Sequence, residues 1–259
     1  MSKFTELRGT LDKRTSTIIG VSGFVIILFL WSILAHNINS NSILPSPLAV
    51  LSSLQELHFN DFLIQNILFS LKLNFWGYLE AIAIAIPFGF LIGLSPIANS
   101  LFSKYIDSMR FIPLTALVGL FIAWFGIGDA MKAHFLGFGI FVYLLPVVVQ
   151  RIMETEKVFV QTAYTLGASK WQIIKKVFLP DVLSKLIDDI RVLVAISWTY
   201  IIIAEMVNVN GGVGAMIFMA ARQSRLDKVF AALFIIILIG IIQDKIFKYI
   251  GKTLFPHKA

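Results

Sequence analysis

The sequence contains no cysteine, which excludes a disulfide framework and any thiolate-held metal. Its four histidines, His36, His58, His134 and His257, are scattered without ligand spacing, so neither metal nor redox chemistry is expected. Charge is scarce as well: 14% of the 259 residues are charged, against 58% hydrophobic. The phosphate-cradling pattern G-x-x-x-x-G-K-[ST] is absent, as are H-E-x-x-H, G-x-S-x-G and a helix-opening G-x-G-x-x-G. The chain is therefore not expected to be an enzyme on its own account. It has no low-complexity tract and no internal repeat, which argues against the inverted-repeat secondary transporters. What is present in abundance is apolar surface. A mean hydropathy of +0.84 is far outside the soluble globular range and makes this an integral, all-α membrane protein.

Six spans are expected. Ile18 to Ala35 is an uncharged run that reaches about 27 Å as a helix. It follows a basic leader, residues 1–17, but is longer than a signal-peptide core and lacks an A-x-A site, so it reads as an uncleaved first helix. The others run from Leu71 to Leu94, Phe111 to Gly128, Ala133 to Gln150, Leu186 to Val207, and Val229 to Ile250, the last with Lys245 and Lys248 snorkelling to the surface. With this layout sixteen of the twenty-two lysines and arginines fall on one side and four on the other, Lys72 and Arg191 lying near span ends. The formal charge of +7 thus marks a cytoplasmic face with both termini on it, not a nucleic-acid partner.

After the first span, Pro45 and Pro47 enforce an extended turn, and Leu48, Leu51 and Leu54 repeat at helical spacing, as in a short interfacial helix. The second span holds Pro87 and the pair Gly89 and Gly93. Such a pair fits a hinge or dimer seam, or tight packing within one bundle.

One basic segment stands apart from the apolar chain. Thr165 to Pro180 reads TLGASKWQIIKKVFLP and lies in the longest inside loop, about 151–185. Gly167 suits the left-handed cap of a preceding short helix, and Ser169 with Gln172 forms an S-x-x-Q capping box for a second. Trp171, Ile174 and Phe178 fall on one face, Lys170 and Lys175 lie away from it, and Pro180 is placed at the exit. By composition this bent pair suits anionic lipid or a docking protein equally.

The segment resembles the signature loop of binding-protein-dependent ABC importer permeases, which runs Glu-Ala-Ala, three residues, Gly, then Ile and Leu-Pro. Here the pattern falls on Gln161, Thr162, Ala163, Gly167, Ile173 or Ile174, Leu179 and Pro180. Gln161 and Thr162 depart from the usual Glu and Ala, so the glutamate's polar contact does not carry over. LPSP, IP followed by AWFGIGD, LGASKWQ, DDIRVLVAISWTYIIIAEM, NGGVGAMI and GIIQDKIF are similar, in this order, to the branch importing nitrate, bicarbonate, sulfonates and taurine.

The resemblance implies a type I importer fold in a bacterial cytoplasmic membrane, two identical permease copies forming the pore, and a separate substrate-binding protein. Two ABC ATPase subunits, binding ATP and Mg, would receive the bend around Gly167. The solute would be small and anionic.

Charged or polar groups within spans invite functional readings. Glu205, beside Trp198, Thr199 and Tyr200, is a candidate for lining or bracing the pathway, or an interfacial carboxylate held by backbone. Arg191 with Asp188 reads as an i, i+3 pair and, by the resemblance, as an inner gate. Glu80 has no counterpart in the family pattern; Lys72 is about 12 Å away along the helix, too far to bridge. Asn208, Asn210, Gly211, Gly212 and Gly214 form a loop near the pore mouth or a plain turn. The rivals to an importer permease are a self-sufficient secondary transporter or channel, with Glu80, Glu205 and Arg191 as an ion relay, and a membrane scaffold without transport.

Overall fold

A computed structural model describes residues 9, 11–37 and 43–256; most of the basic leader and the last tail residues, His257 among them, lie outside the described residues. Among the described residues the structure is helical, with no strand. Eleven α-helices are described: α1 (Lys13–Asn37), α2 (Pro47–Phe59), α3 (Leu63–Leu94), α4 (Pro96–Met109), α5 (Val118–Phe125), α6 (Asp129–Met153), α7 (Lys157–Thr165), α8 (Lys170–Ile173), α9 (Leu179–Val207), α10 (Val213–Arg222) and α11 (Leu226–Leu254).

Five continuous helical stretches are long and apolar enough to cross a membrane: α1, α3, α6, Lys170–Val207 and α11. A bent pair, α4 with residues 114–125, folded by 93°, makes a sixth crossing if it is counted as one broken span. This corrects the expected span Phe111 to Gly128. Residues 111–113 lie in the bend, because Pro113 lacks an amide donor and pushes Ile112 out of helical geometry. Leu114–Leu117 then forms a 3-10 turn, and Gly126, at φ 72°, ends α5. Alone, α5 reaches only about 12 Å.

The centre of the bundle is α3, α6 and α9, with one side of α11. The close approach of α3 and α6 depends on small residues. A Cβ on Gly89 would collide with Val148, and one on Gly93 would come within 2.9 Å of Ile152. The Gly89 and Gly93 pair is therefore a packing seam inside one chain. α3 also begins eight residues before the expected Leu71. Its first turns carry Asn66 and Ser70, whose polar groups bond within the protein and which lower the apparent apolarity of the segment.

Two short helices carry exposed apolar residues. In α2, Ser46 caps the start, and Val50, Ser53 and Leu57 are buried, while Leu48 and Leu51 point outward. In α8, Ile173 is the buried residue and Trp171 is exposed, with Lys175 Nζ 4.9 Å from its ring. Nor does Pro180 end the helix. Residues 174–178 form a π-turn in which the amide of Leu179 bonds the Ile174 carbonyl. The widened turn relieves the clash between the proline ring and the preceding carbonyls, so α8 runs on into α9.

Candidate functional site: a bent surface loop and two polar staples

At one end of the bundle α7 and α8 meet at a sharp bend. The amide of Gly167 bonds the Tyr164 carbonyl at 2.9 Å and that of Ala168 bonds the Ala163 carbonyl at 3.0 Å. These are the two bonds of a Schellman cap, which needs a left-handed residue, and Gly167 has φ 77°. The capping box follows at once. The Ser169 hydroxyl accepts from the Gln172 backbone amide at 3.3 Å, and the Gln172 side-chain Oε1 accepts from the Ser169 backbone amide at 2.7 Å. Two caps back to back fix the angle between the helices using only local bonds.

The bend presents apolar surface. No residue of α7 is buried, and Val158, Phe159, Tyr164, Leu166 and Trp171 are all exposed. Gln161 and Lys170 are exposed too, Ala163 and Ile174 are half-buried, and Leu179 packs partly inward. A groove of about 360 Å³ beside Gly167 is lined by Ala163, Leu166, Gln172 and Lys176.

Ion pairs tie this end to the spans. The Arg151 guanidinium donates to both Asp189 oxygens at 2.8 and 2.7 Å and to Glu154 at 2.7 Å. That last bond holds the Glu154 carboxyl below its ordinary range. The Thr155 hydroxyl donates to Asp181 at 2.8 Å, and Lys185 reaches the same oxygen at 2.8 Å. Sequence reading missed the Arg151–Asp189 link, which joins residues 38 apart and leaves no local signal.

Along α9 a polar staple holds α11. Arg191 Nε lies 2.9 Å from Asp244 and Nη1 3.4 Å from Asp188, so the expected i, i+3 pair is present and an inter-helix partner is closer. Two turns on, the Trp198 indole donates to Gln243 Oε1 at 2.8 Å. Gln243 and Asp244 are two of the three polar residues of GIIQDKIF, the third being Lys245. Trp198 is only 4% exposed and lies within the bundle. Thr199, by contrast, is exposed, on the α9 face that also carries Asp188, Val192 and Ala195. Beside α9 a cavity of about 540 Å³ is lined by Ser103, Asp107, Arg110, Tyr143, Gln150 and Leu193 among others.

At the opposite end, Glu205 is fully buried. It accepts from the Ser70 hydroxyl at 2.6 Å and the Gly214 amide at 2.7 Å. Ser70 Oγ in turn accepts from the Val213 amide at 2.9 Å, and Asn66 Oδ1 accepts from the Gly212 amide at 2.7 Å. Three successive amides that open α10 are thus satisfied by α3 and α9, a helix N-terminus closed by an internal carboxylate. Gly212, at φ 102°, leaves no room for a Cβ against that carboxylate. Lys132 is buried nearby with its ammonium over the Phe69 ring at 5.2 Å and no hydrogen-bond partner. Glu80, which has no counterpart in the family pattern, pairs with His134 of α6 at 2.9 Å. No group of three or more metal-ligating side chains is found among the described residues.

A multi-span helical bundle with an exposed bent loop and cross-helix polar staples defines a polytopic membrane protein. Comparison with known proteins narrows the class. Residues 85–255 match the family described as "binding-protein-dependent transport system inner membrane component". An ABC transporter permease protein of Methanocaldococcus jannaschii is 35% identical over 87% of this chain and 86% of its own length. The taurine transport system permease protein of Escherichia coli is 25% identical over 98% and 94%, and an aliphatic sulfonates transport permease protein of Bacillus subtilis 26% over 90% and 85%. A chain of the MetNI methionine ABC transporter, in an inward-facing conformation, superimposes with TM-score 0.61 and 20% identity over 72% of this chain and 94% of that one.

The chain belongs to the binding-protein-dependent transport family, as a multi-pass inner-membrane permease subunit of an ABC importer. Its family works with an ATPase and a substrate-binding protein.

Proposed function

We propose that two copies of this chain pair in the bacterial cytoplasmic membrane to form the pathway of an importer for a small sulfonate- or taurine-like solute. Both termini and the Gly167 bend face the cytoplasm. Two ATPase subunits, each binding ATP and Mg, receive α7 and α8 as coupling helices, and a substrate-binding protein delivers solute to the Glu205 end.

The bend is the observation that carries the reading. Its angle is locked by two caps while the apolar side chains of α7 remain uncovered. Rigid geometry and an unfilled apolar face are what a lever between two proteins requires. The charge distribution supports the orientation. At the opposite end Arg225 pairs with Glu56 and Asp227 at 2.9 and 2.8 Å, and Lys228 with Asp61 at 2.6 Å. Arg222 and Lys132 make no ion pair among the described residues, but lysines and arginines are few at this end, and most of those in the chain lie on the Gly167 side.

The test is co-purification from native membranes of the intact chain and of Gly167→Val, whose branched Cβ cannot adopt the left-handed conformation cheaply. The expected result is an ATPase that accompanies the intact chain and is lost with the variant. A chain that purifies alone and still carries solute into liposomes would instead favour a self-sufficient transporter.

A further inference from the structure

Glu80 lies midway along α3, about 25 Å from its first residue and about 21 Å from its last. His134 approaches from α6, with Nδ1 2.9 and 3.0 Å from the two carboxylate oxygens. The pair floors a cavity of about 260 Å³ walled by Phe121, Trp124, Phe125, Phe138 and Phe141. The Phe125 ring packs on the imidazole at 4.4 Å between centroids.

Exposure decides what this cavity faces. The Glu80 and His134 side chains remain 34% and 38% accessible. His134 is five residues into α6, about 8 Å along its axis, so the pair lies toward one membrane face, where facing hydrocarbon costs less than the roughly 2.5–3.5 kcal/mol of a helix centre but is still unfavourable. Such groups turn toward protein or toward a water-filled cavity, and here the chain itself does not cover them.

The walls decide what the cavity accepts. Ring faces carry negative electrostatic potential and attract cations, and the Glu80 carboxylate oxygens beside the imidazole are acceptors for an ammonium. No lysine or arginine lines the cavity. Its volume is below the roughly 300–1,000 Å³ of drug-sized sites, so it suits a small group. This chemistry receives an ammonium and repels an anion.

We propose that the Glu80–His134 pair lines the aqueous pathway and serves as a way-station for a cationic group of the solute. The proposal rests on the reading of this chain as half of a pathway and refines its solute class. The favoured solute carries an ammonium as well as its acid group, as an aminosulfonate does, whereas a simple alkanesulfonate would gain nothing at this station.

The cysteine-free sequence allows a test that needs no knowledge of the solute. Ile84 lines the same cavity and is 41% exposed, so Ile84→Cys introduces a single thiol there, and Phe141→Cys provides a second position. The full complex in proteoliposomes, with and without ATP, is treated at pH 8 with cationic and anionic water-soluble thiosulfonates. Rates are normalised to those of a free thiol. The expected result is labelling in at least one state with a cationic preference of about ten-fold, about 1.4 kcal/mol, abolished by adding Glu80→Gln. Thiols that stay unreactive at both positions would overturn the proposal, because lipid or a second copy then covers the pair. Labelling whose preference ignores Glu80→Gln would overturn it as well. ATPase co-purification from the same sample separately reports whether the importer reading itself holds.

Discussion

The Trp198 indole and the Gln243 side chain join α9 to α11 by one hydrogen bond of 2.8 Å, next to the 2.9 Å contact between Arg191 and Asp244. Both partners on α11 come from consecutive positions, so a single turn of that helix fixes two turns of α9. Gln243→Leu leaves the buried indole donor unpaired, a loss of about 1–3 kcal/mol. Thermal unfolding of the purified complex should show a lower midpoint, and solute uptake should fall. If both remain unchanged, the staple does not hold the two helices.

Gly212 faces the Glu205 carboxylate with no space for a side chain. Gly212→Ala is expected to displace that carboxylate from Ser70 and Gly214, unpairing the start of α10, and to lower membrane expression several-fold. Gly119→Ala is the matched control. A Cβ there meets nothing within 4 Å, and alanine is the better helix residue by about 1 kcal/mol. Equal expression of the two variants would show that the Glu205 knot tolerates rearrangement.

The caps and all spans but the third, which Pro113 breaks, were legible in the sequence because each is a local property. Apolar runs give the crossings, and Gly167, Ser169 and Gln172 form the bend through bonds that span no more than five residues. The start of α3 was hidden for a related reason. Asn66 and Ser70 look like loop residues until their partners, the amides of Gly212 and Val213, are seen more than 140 positions away. The partners of Glu80, Arg151 and Trp198 were likewise illegible, since their spacing is set by which helices meet. Pro180 misled in the other direction. A proline ends a regular helix, but a π-turn just before it absorbs the clash.

Lys132 is fully buried with no hydrogen-bond partner for its ammonium, only the Phe69 ring beneath it. A buried cation without a partner destabilises the fold through lost hydration. Lys132→Met keeps the length of the side chain and removes the charge, so it should stabilise the purified protein by about 1 kcal/mol or more, read as a higher unfolding midpoint. If uptake falls while stability rises, the lysine is retained for transport. A drop in stability would mean that its attraction to Glu205 and Asp129 outweighs its desolvation.

The bend offers the sharpest separation of stability from coupling. Ser169→Ala removes one of the two reciprocal bonds of the capping box, at a local cost of about 0.5–2 kcal/mol. The spans do not depend on it, because Thr155 and Arg151 hold this end to α9 through Asp181 and Asp189. The expected outcome is therefore normal expression and an unchanged unfolding midpoint, with solute-stimulated ATP hydrolysis reduced two- to ten-fold in the reconstituted complex. Gln172→Ala, which removes the other bond, should give a similar loss, and the double variant little more, since the two bonds act as one unit. Additive losses from the two substitutions would mean that each side chain contacts the partner directly and that the box does not set the angle of the lever.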